Sequence, residues 1–520
     1  MRTKPVGCTR VALLLCIAAV ALAVLPGCSE PLSEEQRLED LDYLIDIFSE
    51  NHPFISLKSR VEGYDWLDHR DEFGALVASA KTDQEFAIAM NRVTGLMNNM
   101  HTRLSGRSSL VGWFQVPRSK DLEPWLRIVD EVNLNKVEYW SDLAKEQEYG
   151  HLAIAYLAGQ YVVAGRVTGT TGKSLPIGSV ITEVNGTGVD EFVYSHRGID
   201  WQPYDPIRQK VYDPVLRLPE GKNTVTAITQ DGNHATETFN VRASTPPRSL
   251  VMPARYNGPY TLSTSCLSGC VIDGEVGYLV ISHMVGDSKI LEDEIKSLRR
   301  FIDSVSSLPS LIIDIRGNPG GQDLLWYALV SMMISKTAKV DLTVAIRDGD
   351  YVSPFYSCMV DSCGFAPPVE EDTSRGFPLE VSNGGFRVPI TGPLAVEPDE
   401  YSVKYSGRVF LLVDDQVCSS ADLFAAFAKA TGFATLVGGV TGGDGIGFRS
   451  CYAVLPNSGM VVSFSLTMGL NPDGTANEET HTRPHHLVEW TPTDIARWID
   501  NPGKWHDVVL QECLKLAKAP

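Results

Sequence analysis

From about residue 275 onward, short apolar runs alternate with amphipathic stretches, and this alternation constrains the fold more than any other feature. "GYLVIS" is a strand; "SKILEDEIKSLRRFI" places Leu291, Ile295, Leu298 and Ile302 on one helical stripe. "SLIIDIRGN" is a strand without polar alternation that runs into a glycine turn. "ALVSMMI" continues as a helix. "RVFLLVDD" and "ATLVGG" are further strands, and "SADLFAAFAKATG" is a helix closed by Gly432. Continuous apolar strands separated by helices require a largely parallel sheet covered on both faces. In such a sheet, ligands bind beyond the carboxyl ends of the strands. Two segments of this chain mark those ends: "IIDIRGNPGGQ" and "DDQVCSSADLFAAF".

The chain has 520 residues. At about 150 residues per domain this predicts roughly three domains. Residues 33–106 read as a helical N-terminal domain. "SEEQRLEDLDYLIDIFSENHP" opens on a serine cap with early acids, and "TDQEFAIAMNRVTGLMNNMHT" ends at a polar break. Residues 107–250 read as β-rich, with glycine turns between short strands and an Asn-Gly hairpin signal in "LPIGSVITEVNGTGVDEF". Residues 275–500 form the α/β core, and 501–520 a C-terminal helix. The expected class is therefore a multidomain α/β protein. A net charge of −19 argues against a nucleic-acid partner, because phosphate backbones need basic surface.

Arg2, Lys4 and Arg10 precede "VALLLCIAAVALAVL" and then "PGC", the layout of a secretory signal over residues 1–28. "LPGC" resembles a bacterial lipobox, which implies lipidation at Cys28 and a lipid anchor in the membrane. The expected location is the cell envelope, on an outer membrane facing the periplasm where the host has one. Export suits local disulfides between Cys266 and Cys270 and between Cys358 and Cys363. A zinc site on these four would need tighter pairs than their spacing offers. His481, His485 and His486 are close in sequence, but Pro484 interrupts a helical histidine pair, and no metal is expected there.

The turn "NPGGQD" lacks a following GK[ST], as does "VGGVTGGDGIG", so neither reads as a nucleotide loop, and no cofactor is expected. Its glycines suit backbone donors for an oxyanion. Ser419 and Ser420 stand where a strand becomes a helix. Either could cap the helix, or one could be a nucleophile at the positive end of the helix dipole.

Taken in order, "SLIIDIRGNPGG", "SSADLFAAFAKATG" and "FATLVGGVTGG" resemble the core of the C-terminal processing peptidase and tricorn protease family. The resemblance extends over most of residues 34–500. It implies a crotonase/ClpP-like protease core, a PDZ-like domain within 107–250, and a serine-type endopeptidase acting on peptides or unfolded proteins. The family nucleophile precedes an acidic residue at the i+3 position; here that acid is Asp422, which selects Ser419. Ser420 would then donate its backbone N–H to an oxyanion hole with Gly320 or Gly321. One branch of the family uses a lysine after "TxGxG"; this chain has Asp444 there, and no lysine lies between Lys429 and Lys504. The tricorn-like branch uses a histidine after the helical region, matched by His101 in "NNMHT", although Met100 precedes it where a serine can occur. A glutamate before Pro484 completes the pattern, Glu478 by spacing, with Glu479 beside it. Cys418 reads as packing or a disulfide partner. The alternative is a catalytically inactive peptide-binding module on the same fold.

Overall fold

The computed structural model describes residues 31–110, 124–125, 127–128, 132–145, 149–166, 168–199, 201–244, 256, 258–285, 287–347, 349–357, 377–383, 385–387, 390–447, 450–500 and 506–519. Its centre is a seven-stranded sheet. In spatial order the strands are Leu262–Ser263, Leu267–Ile272, Val276–Ile281, Ser310–Asp314, Arg408–Val413, Thr435–Gly438 and His486–Leu487. The last five pair in parallel; the first two form an antiparallel edge. The side-chain period of two sorts one strand between two cores. Leu311 and Ile313 pack under helices Ser288–Val305, Leu324–Met333 and Ser420–Thr431. Ile312 faces the other way, against Val509, Leu510 and Cys513 of the C-terminal helix Val508–Lys518. Both faces are covered, which is why these strands carry no polar alternation.

Arg316 fastens that C-terminal helix to the sheet. It is 1% exposed and forks between two carboxylates. Its Nε and Nη2 donate to Asp314 at 2.9 and 2.6 Å, and its Nη1 and Nη2 donate to Asp507 at 2.9 and 2.8 Å. Asp507 in turn accepts from the Leu510 N–H as the helix cap. Removing the guanidinium leaves two buried carboxylates without their cation. Arg316→Met should therefore destabilise the chain by about 3–5 kcal/mol, read as a lower midpoint in urea unfolding.

The helical leader forms as its caps dictate. Ser33 and Thr82 each close a full capping box, on helices Glu34–Asn51 and Asp83–Gly95. It does not stand as a separate domain. Leu44, Phe48, Phe86, Met90 and Val93 share one core with Cys451, Ala453, Val462 and Phe464 of strands Ser450–Val454 and Val461–Ser465. Strand Arg103–Leu104 then pairs with the second of these, Arg103 opposite Ser463. This pairing carries the chain just after His101 onto the α/β region.

Among the described residues of 107–250, strands begin at Tyr149. Before it lies a helix, Leu134–Leu143, whose Trp140 donates to the Ser458 carbonyl at 2.9 Å. Beyond it, five strands order as His234–Val241, Gly221–Ile228, Val180–Val184, Gln160–Val163 and Ile154–Leu157, with helix Val189–Ser195 alongside. Asn185 and Gly186 both have positive φ, and Val184 pairs with Thr187 across them, the two-residue hairpin that "NG" predicts.

The expected disulfide between Cys266 and Cys270 is absent; both thiols are free and buried. Cys270 lies within the strand Leu267–Ile272, and the two cysteines belong to different cores. Four residues of extended chain separate their Cα atoms by about 13 Å, too far for a bridge. Cys28 and its signal, Cys358 and Cys363 lie outside the described residues. Among the described residues no helix is long and apolar enough to cross a membrane.

Candidate active site

Two strand ends meet through one asparagine. Asn318, fully buried in the turn after Ser310–Asp314, donates its side-chain amide to the Ile281 carbonyl at 3.0 Å. Its side-chain oxygen accepts from the Gly320 N–H at 2.9 Å, and its main-chain carbonyl accepts from the Cys418 N–H at 3.2 Å. Asp414 adds a second tie: its Oδ1 accepts from the Gly317 and Gln416 N–H groups at 2.9 and 3.1 Å. Both turns are thus held against each other. A Cβ built on Gly320 would fall 2.8 Å from the Ser419 Cβ and 3.0 Å from the Ser420 nitrogen, so only glycine permits this approach.

The two serines separate cleanly. Ser420 is 6% exposed, and its hydroxyl donates to Asp323 Oδ1 at 2.6 Å. Ser419 is partly exposed and sits at the N-cap position of Ser420–Thr431, yet its side chain makes no cap hydrogen bond. Its backbone lies at φ 53, ψ −130, a conformation that costs a non-glycine residue on the order of 1–3 kcal/mol. A plain cap would adopt extended backbone and satisfy an N–H of the first turn. Ser419 instead presents a free hydroxyl beside the first-turn N–H groups, which have no partners within the helix.

The Gly320 N–H is taken by Asn318. Gly321 is exposed, has φ 138, and a Cβ there would fall 1.8 Å from the Met284 carbonyl oxygen.

Cys418 is buried and free, and its thiol packs where a Cβ on Gly442 would come within 2.3 Å of Sγ. Burial, with Asp422 and other acids nearby, pushes the thiol well above its ordinary range. Cys418 is therefore a packing residue with an inert thiol. Asp422, fully buried, accepts from Thr441 Oγ1 at 2.5 Å and anchors the following loop to the Ser419 helix.

That loop joins the serine to the histidine. The Gly443 carbonyl accepts from the Ser419 N–H at 3.3 Å. The next residue, Asp444, accepts from His101 Nδ1 at 2.6 Å. With Nδ1 committed to the carboxylate, Nε2 is the ring nitrogen left to take a proton. Burial works against the imidazolium, but the charge and hydrogen bond of Asp444 outweigh it and hold the His101 pKa above the ordinary histidine value. The ring keeps 30% of its side-chain exposure, so substrate can reach it.

Glu478 does not face His101 directly. It is 8% exposed, and its Oε1 accepts from Asn99 Nδ2 at 3.2 Å and pairs with Lys58 Nζ at 2.7 Å. Asn99 Nδ2 also donates to Asp444 Oδ2 at 3.1 Å, so one amide spans both carboxylates. Glu479 turns away to Arg60 at 2.8 Å. Sequence reasoning therefore noted Asp444 only as a missing lysine, whereas the structure makes it the carboxylate on His101. It missed Asn99, Asn318 and Lys58 altogether. Asn99 stands two residues before His101 in "NNMHT", and this nearness is the one signal the sequence offered.

Two further histidines bond to the scaffold. His481 Nδ1 donates to the Thr441 carbonyl at 2.8 Å, and burial lowers its pKa to about 4. His485 Nδ1 accepts from the Leu436 N–H at 2.9 Å.

Residues 275–488 match the family model of peptidase family S41. An uncharacterized protein of Chlamydia muridarum (strain MoPn / Nigg) is 27% identical over 214 residues, covering 36% of this chain and 35% of that protein. A Chlamydia pneumoniae protein, CPj1016/CpB1054, is 26% identical over 280 residues, covering 47% and 45%. The chain thus spans less than half the length of these curated relatives. Mature CPAF shares the fold, with a TM-score of 0.57 at 16% identity over 94% of this chain and 99% of that one. Mature CPAF complexed with lactacystin gives 0.52 at 17% identity over 89% and 95%.

Proposed function

We propose that this chain, which belongs to peptidase family S41, is a serine endopeptidase that cleaves peptides and unfolded proteins with Ser419 as nucleophile. The observation that carries the reading is the loop Gly443–Asp444, which binds the Ser419 backbone at one residue and the His101 ring at the next. His101 Nε2 takes the Ser419 proton as Oγ attacks the scissile carbonyl. Asp444 holds the ring by Nδ1 and stabilises the imidazolium that forms. The Gly321 and Ser420 N–H groups receive the oxyanion. His101 then returns the proton to the leaving amine, and water repeats the sequence on the acyl-enzyme. Neither metal nor cofactor is needed for these steps.

Residues 149–241, with their Asn-Gly hairpin and single helix, are proposed as the PDZ-like module that recruits chain ends. Cys28 is proposed as a lipid anchor that places the enzyme at the cell envelope. Incubation with an unfolded protein, followed by mass spectrometry of the products, tests the reading. The expected result is internal fragments whose appearance needs both Ser419 and His101. Folded chain that binds the unfolded protein and releases no fragments would establish the peptide-binding module instead.

A further inference from the structure

Lys58 is a buried lysine outside the serine–histidine machinery. It projects from the helix Ile55–Glu62, is 7% exposed, and lies 2.9 Å from Glu62 and 2.7 Å from Glu478. Glu62 already has other partners: the Arg197 guanidinium and both hydrogen bonds from Asn98 Nδ2, at 3.1 and 3.0 Å. Among the described residues, Lys58 is the cation paired with Glu478. Glu478 and Asp444 converge on a single donor atom, Asn99 Nδ2. The orientation of that amide is fixed from its other end. Asn99 Oδ1 accepts from the His101 N–H at 3.1 Å, Thr102 Oγ1 at 3.1 Å and Ser465 Oγ at 3.2 Å.

We propose that Lys58 is a positioning residue for the His101–Asp444 pair, acting through Glu478 and Asn99. The inference rests on the serine-peptidase reading above. Two carboxylates sharing one buried amide repel each other, and Lys58 offsets that repulsion by pairing with Glu478. Asp444 is then free to give its Oδ2 to His101. Without Lys58, burial and the charge of Asp444, which already raise Glu478, are no longer opposed by a cation, and Glu478 takes up a proton. Among the charges that act on His101, those of Asp444 and Glu478 raise its pKa and that of Arg103 lowers it. Loss of the Glu478 charge therefore lowers the His101 midpoint.

The test is an NMR titration of the His101 ring in the full chain, assigned by comparison with His101→Ala, run beside kcat and KM. Lys58→Met should lower the His101 midpoint and reduce kcat on the order of 10- to 100-fold, with KM little changed. Glu478→Gln should lower the midpoint in the same direction. The double variant Lys58→Met/Glu478→Gln should match Glu478→Gln alone, because Lys58 acts only through that carboxylate. If Lys58→Met does not fold, the comparison of the double variant with Glu478→Gln decides. An unchanged His101 midpoint in folded Lys58→Met, or additive effects in the double variant, overturns the proposal. Wild-type chain that hydrolyses nothing removes the peptidase reading, yet the titration still reports on Lys58.

Discussion

Ser419→Ala should lower kcat by on the order of 10⁶-fold while leaving the folded chain intact. The side chain makes no cap hydrogen bond, so removing Oγ breaks no structural contact of the helix Ser420–Thr431. The same substitution at a true N-cap would cost about 1 kcal/mol. The two readings of this serine therefore predict opposite pairs of outcomes. A cap loses stability and keeps turnover; a nucleophile loses turnover and keeps stability. Steady-state kinetics beside a urea unfolding curve separates them.

Asp444→Asn should lower kcat on the order of 10⁴-fold and shift the pH profile. In the wild type, His101 must be neutral to accept the Ser419 proton. Its pKa is held above 6.5, so kcat/KM should rise with pH through a midpoint above that value. Asparagine removes the charge that raises it and leaves only a neutral amide oxygen as acceptor, so the midpoint should move to lower pH. The amide can also donate to Nδ1, which would leave the ring proton on Nε2, the wrong atom for a base. Turnover therefore falls even at high pH, where the wild type and the variant both have neutral rings. A profile of kcat/KM from acid to neutral pH in both proteins checks the sign.

The sheet was legible because its strands are buried on both faces: "SLIIDIRGN" has no polar alternation to blur the reading, and the two cores on either side explain why. The β-hairpin at Asn185-Gly186 was equally clear, since positive φ at two successive residues selects that dipeptide. The helical leader was legible as helices through its caps, but not as part of the catalytic core. Its burial against strands Ser450–Val454 and Val461–Ser465 joins segments hundreds of residues apart in the chain, and amphipathic spacing does not name a partner.

At the site, sequence pattern distinguished Ser419 from Ser420 only through resemblance. In the structure Asp323 holds the Ser420 hydroxyl, and the Ser419 side chain makes no cap hydrogen bond. Spacing pointed to Glu478, whereas the carboxylate bonded to the His101 ring is Asp444. Asp444 is set against the ring by its own positive φ and by the Gly443 contact to Ser419, backbone features that no residue pattern displays. The Cys266–Cys270 bridge failed for a related reason. Nearness in sequence suggested a loop, whereas the extended strand holds the two thiols apart.

The central claim is that Ser419 is a nucleophile activated by His101. The most direct measurement maps a fluorophosphonate adduct on the full-length chain by intact mass and peptide fragmentation. The account predicts one adduct, on the Ser419 oxygen, lost in Ser419→Ala and nearly lost in His101→Ala. It predicts full labelling in Ser420→Ala. An adduct on Ser420 or Cys418, labelling undiminished in His101→Ala, or no adduct on the folded wild-type chain would contradict it.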